Sequence, residues 1–266
     1  MIKSSMTRLF LPPEELTSDN VVITGDNARH LALVLRIEAG ELIEVLDGNG
    51  HKYTCTVSRV HKKEVVASII NKESYSAESP VAITLAQGVA RGEKMDLVIQ
   101  KSTELGVQRI IPVITERSQV RHTQKLERWR KIAASASQQS GRDKIPEILE
   151  PVAMKDFLSE TVQMQLAKNV MRVMPAKAGS QKKEILKIIL SESCQEQNLK
   201  KILNTEKDSK QILLLIGPEG GFSKEEITGA VEIGFMEVSL GPRILRTETA
   251  PIAVISIIQY ERGDVG

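Results

Sequence analysis

LLLIGPEGGFSKEEI, residues 213–227, runs from an apolar stretch through a Gly-Pro-Glu-Gly-Gly turn into the start of a helix. The preceding run, ILLLI, has no polar alternation, which predicts a central strand buried on both faces. Gly217, Gly220 and Gly221 let the backbone turn sharply and let a ligand approach closely. Ser223 followed by Glu226 is a capping box, so the next helix should begin near Lys224, and Gly234 should stop it. The turn then sits at the carboxyl end of a central strand, where open α/β sheets bind ligands. The plainer reading is a tight strand-to-helix connector.

The surroundings repeat the pattern. VAITLAQG, QRIIPVIT, NVMRVM and MEVSL read as strands, interleaved with helices. EKMDLVIQKSTELGV puts Met95, Val98, Ile99, Ser102 and Leu105 on one helix face, with Gly106 as the stop. LERWRKIAASASQQSG is a second helix ending near Gly141. This alternation predicts an α/β domain over residues 81–266 with a mostly parallel sheet covered on both faces. The stretch from Lys177 to Lys210 is rich in Lys and Glu and gives no clear element. Residues 1–72 differ. VVITG, ELIEVLDG, KYTCTVSRV and EVVASII are short strand-like runs, and Asp47-Gly48-Asn49-Gly50 is a hairpin signal. DNARHLALVLRI carries Leu31, Val34 and Leu35 at helical spacing, with Asp26 as N-cap. Close strands with one short helix suggest a small barrel. Residues 73–80 end in proline and read as a linker.

The 266 residues suffice for one large or two smaller domains, and 41% hydrophobic with 26% charged residues is ordinary for a globular chain. No window approaches the roughly 18 apolar residues of a membrane helix, and the first residues lack a secretory signal. The two cysteines, Cys55 and Cys194, match no metal spacing, which points to a cytoplasmic protein without metal. A net charge of +2 is too mild to imply nucleic acid, but RSQVRHTQKLERWRK, residues 117–131, is locally basic. Phosphate-loop, dinucleotide, HExxH, CxxC and GxSxG motifs are all missing. The histidines are scattered and read as structural or surface groups.

A second late stretch stands out: LGPRILRTETAPIAVISIIQ, residues 240–259. A loop carrying Arg243, Arg246 and Glu248 around the apolar pair Ile244 and Leu245 leads into a helix. That helix should bury Ile252, Ile255, Ile258 and Gln259, with Thr247 or Thr249 as cap and Pro251 in its first turn. Charges framing an apolar pair at a strand end look like a pocket rim; the alternative is a helix start decorated with charge.

IGPEGGFS with LGPRILRTETA closely resembles the ribosomal RNA small subunit methyltransferase E family. So do TRLF, RHLALVLR, GEKMDLVIQKSTELGV, PVITERS, RWRKIAASASQQSGR and IPEI. The resemblance implies a SPOUT-type domain with a C-terminal trefoil knot at about residues 212–260, preceded by a PUA-like β-barrel that binds RNA. It implies a homodimer that transfers methyl from S-adenosylmethionine to N3 of a uridine in 16S rRNA. Ile216, Gly217, Glu219, Gly220, Gly221, Leu240, Ile244, Leu245, Thr247 and Met174 are the implied cofactor contacts. A uridine N3 must lose its proton before it can attack, so a cation has to stabilise the uridine oxygens. Arg246 is the first candidate and Arg243 the second; Glu248 or Glu219 can accept the proton. Arg8, Arg29, His30, Arg36, Arg117, Arg121 and Arg142 are the expected RNA contacts. The family often has Glu-Gln before Ser-Gly-Arg, where this chain has Gln138-Gln139, and the 175–211 stretch is longer than usual. The alternatives are a SPOUT methyltransferase for another RNA site and a non-catalytic RNA-binding protein of ribosome assembly.

Overall fold

The computed structural model describes residues 6–16, 18–120, 123–159, 185–194 and 197–266. Two compact units emerge. One comprises Met1–Glu78 with Ala134–Ile145, the other Ser79–Ala133 with Pro146–Gly266. The helix Leu126–Ser140 thus contributes to both units.

The first unit contains strands β1 (Thr7–Phe10), β2 (Asn20–Thr24), β3 (Leu42–Leu46), β4 (His51–His61) and β5 (Glu64–Ser74). They form one sheet in the order β1-β3-β4-β5-β2, antiparallel except for β1 beside β3. Val21 and Ile23 of β2 alternate with exposed neighbours and join Ile43, Val45, Cys55, Val57 and Val65 in one core. The expected barrel is thus a five-stranded sheet around one core.

Three expectations for this unit change. The helix Gly25–Arg29 has Thr24, not Asp26, as N-cap, and it passes into a π-helical stretch, His30–Leu35. The wider π turn displaces the apolar face: Leu31 is buried, whereas Val34 is 67% and Leu35 45% exposed. The segment expected as a linker is ordered at both ends. β5 continues to Ser74, the Tyr75 N–H donates to the Gly50 carbonyl, and the Ala77 N–H donates to Asp143 Oδ1. Finally, residues 134–145 belong with this unit, tied by Tyr75 Oη to the Gly141 carbonyl at 3.2 Å and by the Arg142–Glu78 ion pair.

The second unit holds β6 (Ala82–Gly88), β7 (Arg109–Ile114), β8 (Glu147–Ile148), β9 (Val152–Ala153), β10 (Leu186–Leu190), β11 (Gln211–Ile216) and β12 (Met236–Val238). The order is β12-β10-β11-β6-β7-β8, with β9 also on β7, and every pair is parallel. β6 and β11 are buried at every position, as an apolar run without alternation requires. Side chains of β11 divide between two cores. Ile212, Leu214 and Ile216 join the layer under the helices Lys94–Glu104 and Thr249–Arg262, whereas Leu213 and Leu215 pack with Phe157, Phe222 and Phe235 on the other face. The helix Lys94–Glu104 buries Met95, Val98, Ile99 and Ser102 as the spacing requires, and Gly106 follows at φ +83°. β10 falls inside the stretch whose composition gave no element. NVMRVM lies outside the described residues.

Candidate functional site

The opening turn follows β11 as expected. Ser223 Oγ accepts from the Glu226 N–H at 3.3 Å and Glu226 Oε2 accepts from the Ser223 N–H at 3.0 Å, so the capping box is complete at the helix Lys224–Glu232. The other oxygen, Glu226 Oε1, accepts from the Glu116 N–H at 2.8 Å and ties the turn to the loop after β7. The glycines have distinct structural causes. Gly221 sits at φ +66°, and a Cβ on Gly220 would lie 2.9 Å from Arg117 Cβ.

The second late stretch leaves β12 and returns to meet this turn. Thr247 Oγ1 donates to the Gly217 carbonyl at 2.8 Å, so Thr247 joins the two loops and does not cap a helix. The helix Thr249–Arg262 has Glu248 as N-cap with no side-chain cap bond. It buries Pro251, Val254, Ile255, Ile258 and Gln259, while Ile252 is half-buried.

Between the loops lies a cavity of about 920 Å³, at the carboxyl ends of the neighbouring parallel strands β10, β11 and β12. Ile216, Gly217, Glu219, Gly220, Gly221, Leu240, Ile244, Leu245 and Thr247 all line it, as do Arg243 and Arg246. Met174 lies outside the described residues. Sequence reasoning missed two walls. The loop after β10 contributes Ser191, Ser193 and Cys194, and Lys94 enters from the first residue of the helix Lys94–Glu104. The first was hidden because β10 itself was not legible; for Lys94 the GEKM motif was visible, but nothing in it revealed which cavity it would face.

Charge is arranged unevenly around this cavity. Arg243 and Arg246 are exposed and their guanidinium groups have no hydrogen-bond or ion-pair partner among the described residues. Ile244 between them is 75% exposed. Glu219, by contrast, is committed: its Oε1 accepts from Lys94 Nζ at 3.0 Å and from the Arg91 N–H at 3.1 Å. Burial acts to raise the Glu219 pKa, but its own backbone N–H, Lys94 and the Arg91 N–H outweigh it and hold the carboxyl below its ordinary range. Glu248 is not part of the cavity lining; it stands 3.9 Å from Lys94 Nζ through Oε2, a buried atom with no hydrogen-bond partner among the described residues. Apolar side chains, a glycine-lined turn and cations without a partner among the described residues suit a small ligand with both apolar and polar parts.

The expected RNA contacts separate. In the first unit Arg29, His30 and Arg36 are exposed, whereas Arg8 is held by Glu44 through Nε at 2.9 Å and Nη2 at 2.7 Å. Arg142 is 3% exposed and its Nε donates to Glu78 at 3.0 Å, so it braces residues 134–145 and is removed from the RNA-facing set. In the second unit Arg117 lines the cavity and donates to the Gly220 carbonyl at 3.2 Å. Arg121 lies outside the described residues. Among the described residues no cluster of His, Cys, Asp or Glu could hold a metal, and no helix is long and apolar enough to cross a membrane.

Comparison with known proteins accords with this geometry. Residues 77–259 match the RNA methyltransferase domain family and residues 23–70 the RNA methyltransferase PUA domain. Ribosomal RNA small subunit methyltransferase E of Bacillus subtilis is 30% identical over 97% of this chain and 100% of its own length. The chain belongs to the ribosomal RNA small subunit methyltransferase E family. The enzyme of that name from Aquifex aeolicus is 32% identical, over 92% of this chain and 96% of its own. A crystal structure of the Neisseria gonorrhoeae family member bound to S-adenosyl methionine superposes with a TM-score of 0.80. It is 36% identical and covers 98% of this chain and 100% of that one.

Proposed function

We propose that this chain is a 16S rRNA (uracil-N3)-methyltransferase that takes its methyl group from S-adenosylmethionine. The observation that carries the proposal is the meeting of the two late loops around one cavity, with Arg243 and Arg246 at its rim and unpaired among the described residues. S-adenosylmethionine, when bound, supplies an electrophilic methyl on a sulfonium. Ile216, Leu240 and Leu245 offer an apolar slot for its adenine, and the backbone at Gly217 and Gly221 can approach its polar groups.

The remaining chemistry falls to the chain's own side chains. Negative charge develops on the uridine oxygens as N3 loses its proton, and a guanidinium beside them lowers that barrier. Arg246 takes this role, with Arg243 beside it for the neighbouring phosphate. Glu248 does not line the cavity but stands 3.9 Å from Lys94 of its wall, and it takes the role of proton acceptor by way of a water. Glu219 Oε1 already accepts from Lys94 and the Arg91 N–H, which makes the carboxylate a weaker base and a strong loop anchor.

The proposal includes the SPOUT knot, the homodimer and a cytoplasmic location. The Thr247–Gly217 hydrogen bond joins the two loops that the proposed knot would contain. Ile257 at 40% and Tyr260 at 70% exposure offer an apolar surface for a second copy. The proposal is tested with purified protein, methyl-labelled S-adenosylmethionine and either small ribosomal subunits or naked small-subunit RNA. Label should enter RNA as N3-methyluridine. Calorimetric binding of the methyl donor with no transfer to either substrate would favour a non-catalytic assembly protein.

A further inference from the structure

Gln87, near the end of β6, is fully buried, and neither the glycine motif nor the arginine motif contains it. Its Nε2 lies 3.1 Å from the Gly88 carbonyl, 3.2 Å from the Gly217 carbonyl and 3.4 Å from Thr247 Oγ1. The Thr247 proton is already committed to the Gly217 carbonyl at 2.8 Å, so Thr247 Oγ1 accepts from Gln87. Three acceptors around one atom fix the amide orientation: reversed, its oxygen would face three oxygens. One side chain therefore binds both cavity loops at once, one through residue 217 and the other through residue 247.

The other end of the same amide is unusual. Gln87 Oε1 is buried and has no hydrogen-bond partner among the described residues. An unpaired buried acceptor destabilises a fold, and an apolar side chain of the same size would avoid that penalty. A glutamine serving stability alone is thus a poor choice at this position. The choice makes sense if its two N–H groups set the separation of the loops.

We infer that Gln87 is a positioning residue for the methyl donor, a latch that holds the 217 and 247 loops at the spacing the donor requires. The inference rests on the proposed function of the cavity. It assigns Gln87 no contact with donor or RNA, so its effect falls on donor affinity and leaves RNA affinity unchanged. Removing the latch lets the loops part, and the donor must then bring them together at the expense of its own binding.

The test uses the full-length protein, S-adenosylmethionine calorimetry, thermal melting and steady-state transfer. Gln87→Met keeps the volume, loses both N–H donors and removes the orphaned acceptor. It should melt close to wild type, relief of the orphaned oxygen offsetting the hydrogen bonds lost at Gly88 and Thr247, yet bind S-adenosylmethionine about tenfold more weakly. KM for the donor should rise and KM for RNA should stay constant. Gln87→Glu, buried among three oxygens, is held protonated at neutral pH and keeps one O–H donor, so its affinity for S-adenosylmethionine should fall between wild type and Gln87→Met and drop further as pH rises, in contrast to Gln87→Met. Wild-type protein that binds no S-adenosylmethionine would overturn the proposed function itself. Wild-type binding with equal affinity in Gln87→Met would overturn only the latch. A lowered melting temperature with unchanged affinity in both variants would reduce Gln87 to a structural residue and also overturn it.

Discussion

Gly88→Ala should damage the cofactor loop from the strand beneath it. Gly88 ends β6, and a Cβ built there would lie 2.4 Å from Pro218 Cδ, 2.5 Å from Pro218 N and 2.9 Å from the Gly217 carbonyl carbon. Carbon atoms settle about 3.5–4.0 Å apart, so relief requires the loop to withdraw by about 1 Å. No rotamer change can provide it, because the obstructing atoms are a proline ring and backbone. Overpacking of this kind costs about 1–3 kcal/mol, which corresponds to a fall in Tm of about 2–12 °C for a chain of this size. The same displacement moves Gly217, the residue on which Thr247 and Gln87 converge. A shift of about 1 Å in a positioning element can lower turnover about 100-fold. Thermal melting, donor calorimetry and labelled methyl transfer on one preparation read all three effects. Gly92→Ala is the control, since Gly92 has φ +69° but open space where its Cβ would go. That variant should lose about 1–2 kcal/mol of stability from backbone strain with donor affinity unchanged. A Gly88→Ala protein that melts and binds the donor as wild type does would refute the account of this contact.

Arg246→Ala should reduce methyl transfer at least ~100-fold with donor affinity retained, measured by single-turnover kinetics and calorimetry. Glu219 has its pKa depressed in the folded chain, so its stabilising effect is complete above the ordinary carboxylate value and is lost as pH falls through the folded one. Donor affinity should weaken over that acidic window, and Lys94→Met should narrow the difference between neutral and acidic pH. Glu78→Gln removes the carboxylate from the buried Arg142 guanidinium and should cost about 3 kcal/mol by urea denaturation, with the salt dependence of RNA binding unchanged. Burial pushes the Cys55 thiol up to about 11, so a thiol reagent at neutral pH should label Cys194 first and reach Cys55 only on unfolding.

Legibility in the sequence followed how local the determinants are. β11 and the capping box at Ser223 were readable because each is decided by neighbouring residues: an apolar run without alternation, and a serine three positions before a glutamate. Most of the cavity lining was readable for the same reason, since it sits in two short motifs. β10 was not, because LKIIL is only five residues long within a Lys- and Glu-rich stretch, and its burial depends on β11 and β12 on either side. Arg142 looked like a surface cation because its partner, Glu78, is 64 residues away in sequence. The assignment of residues 134–145 to the first unit depends on that pair and on Asp143 with the Ala77 N–H. The exposure of Val34 and Leu35 follows from a π turn that a 3.6-residue period does not describe.

Mass spectrometry of nucleosides from small-subunit RNA is the most direct test of the central claim, that the two late loops form a methyl-transfer site for uridine N3. RNA from cells lacking this protein should lack one N3-methyluridine, and purified protein with S-adenosylmethionine should restore it. Persistence of that nucleoside in the deletion strain, or its failure to return on addition of protein that binds the donor, would contradict the claim.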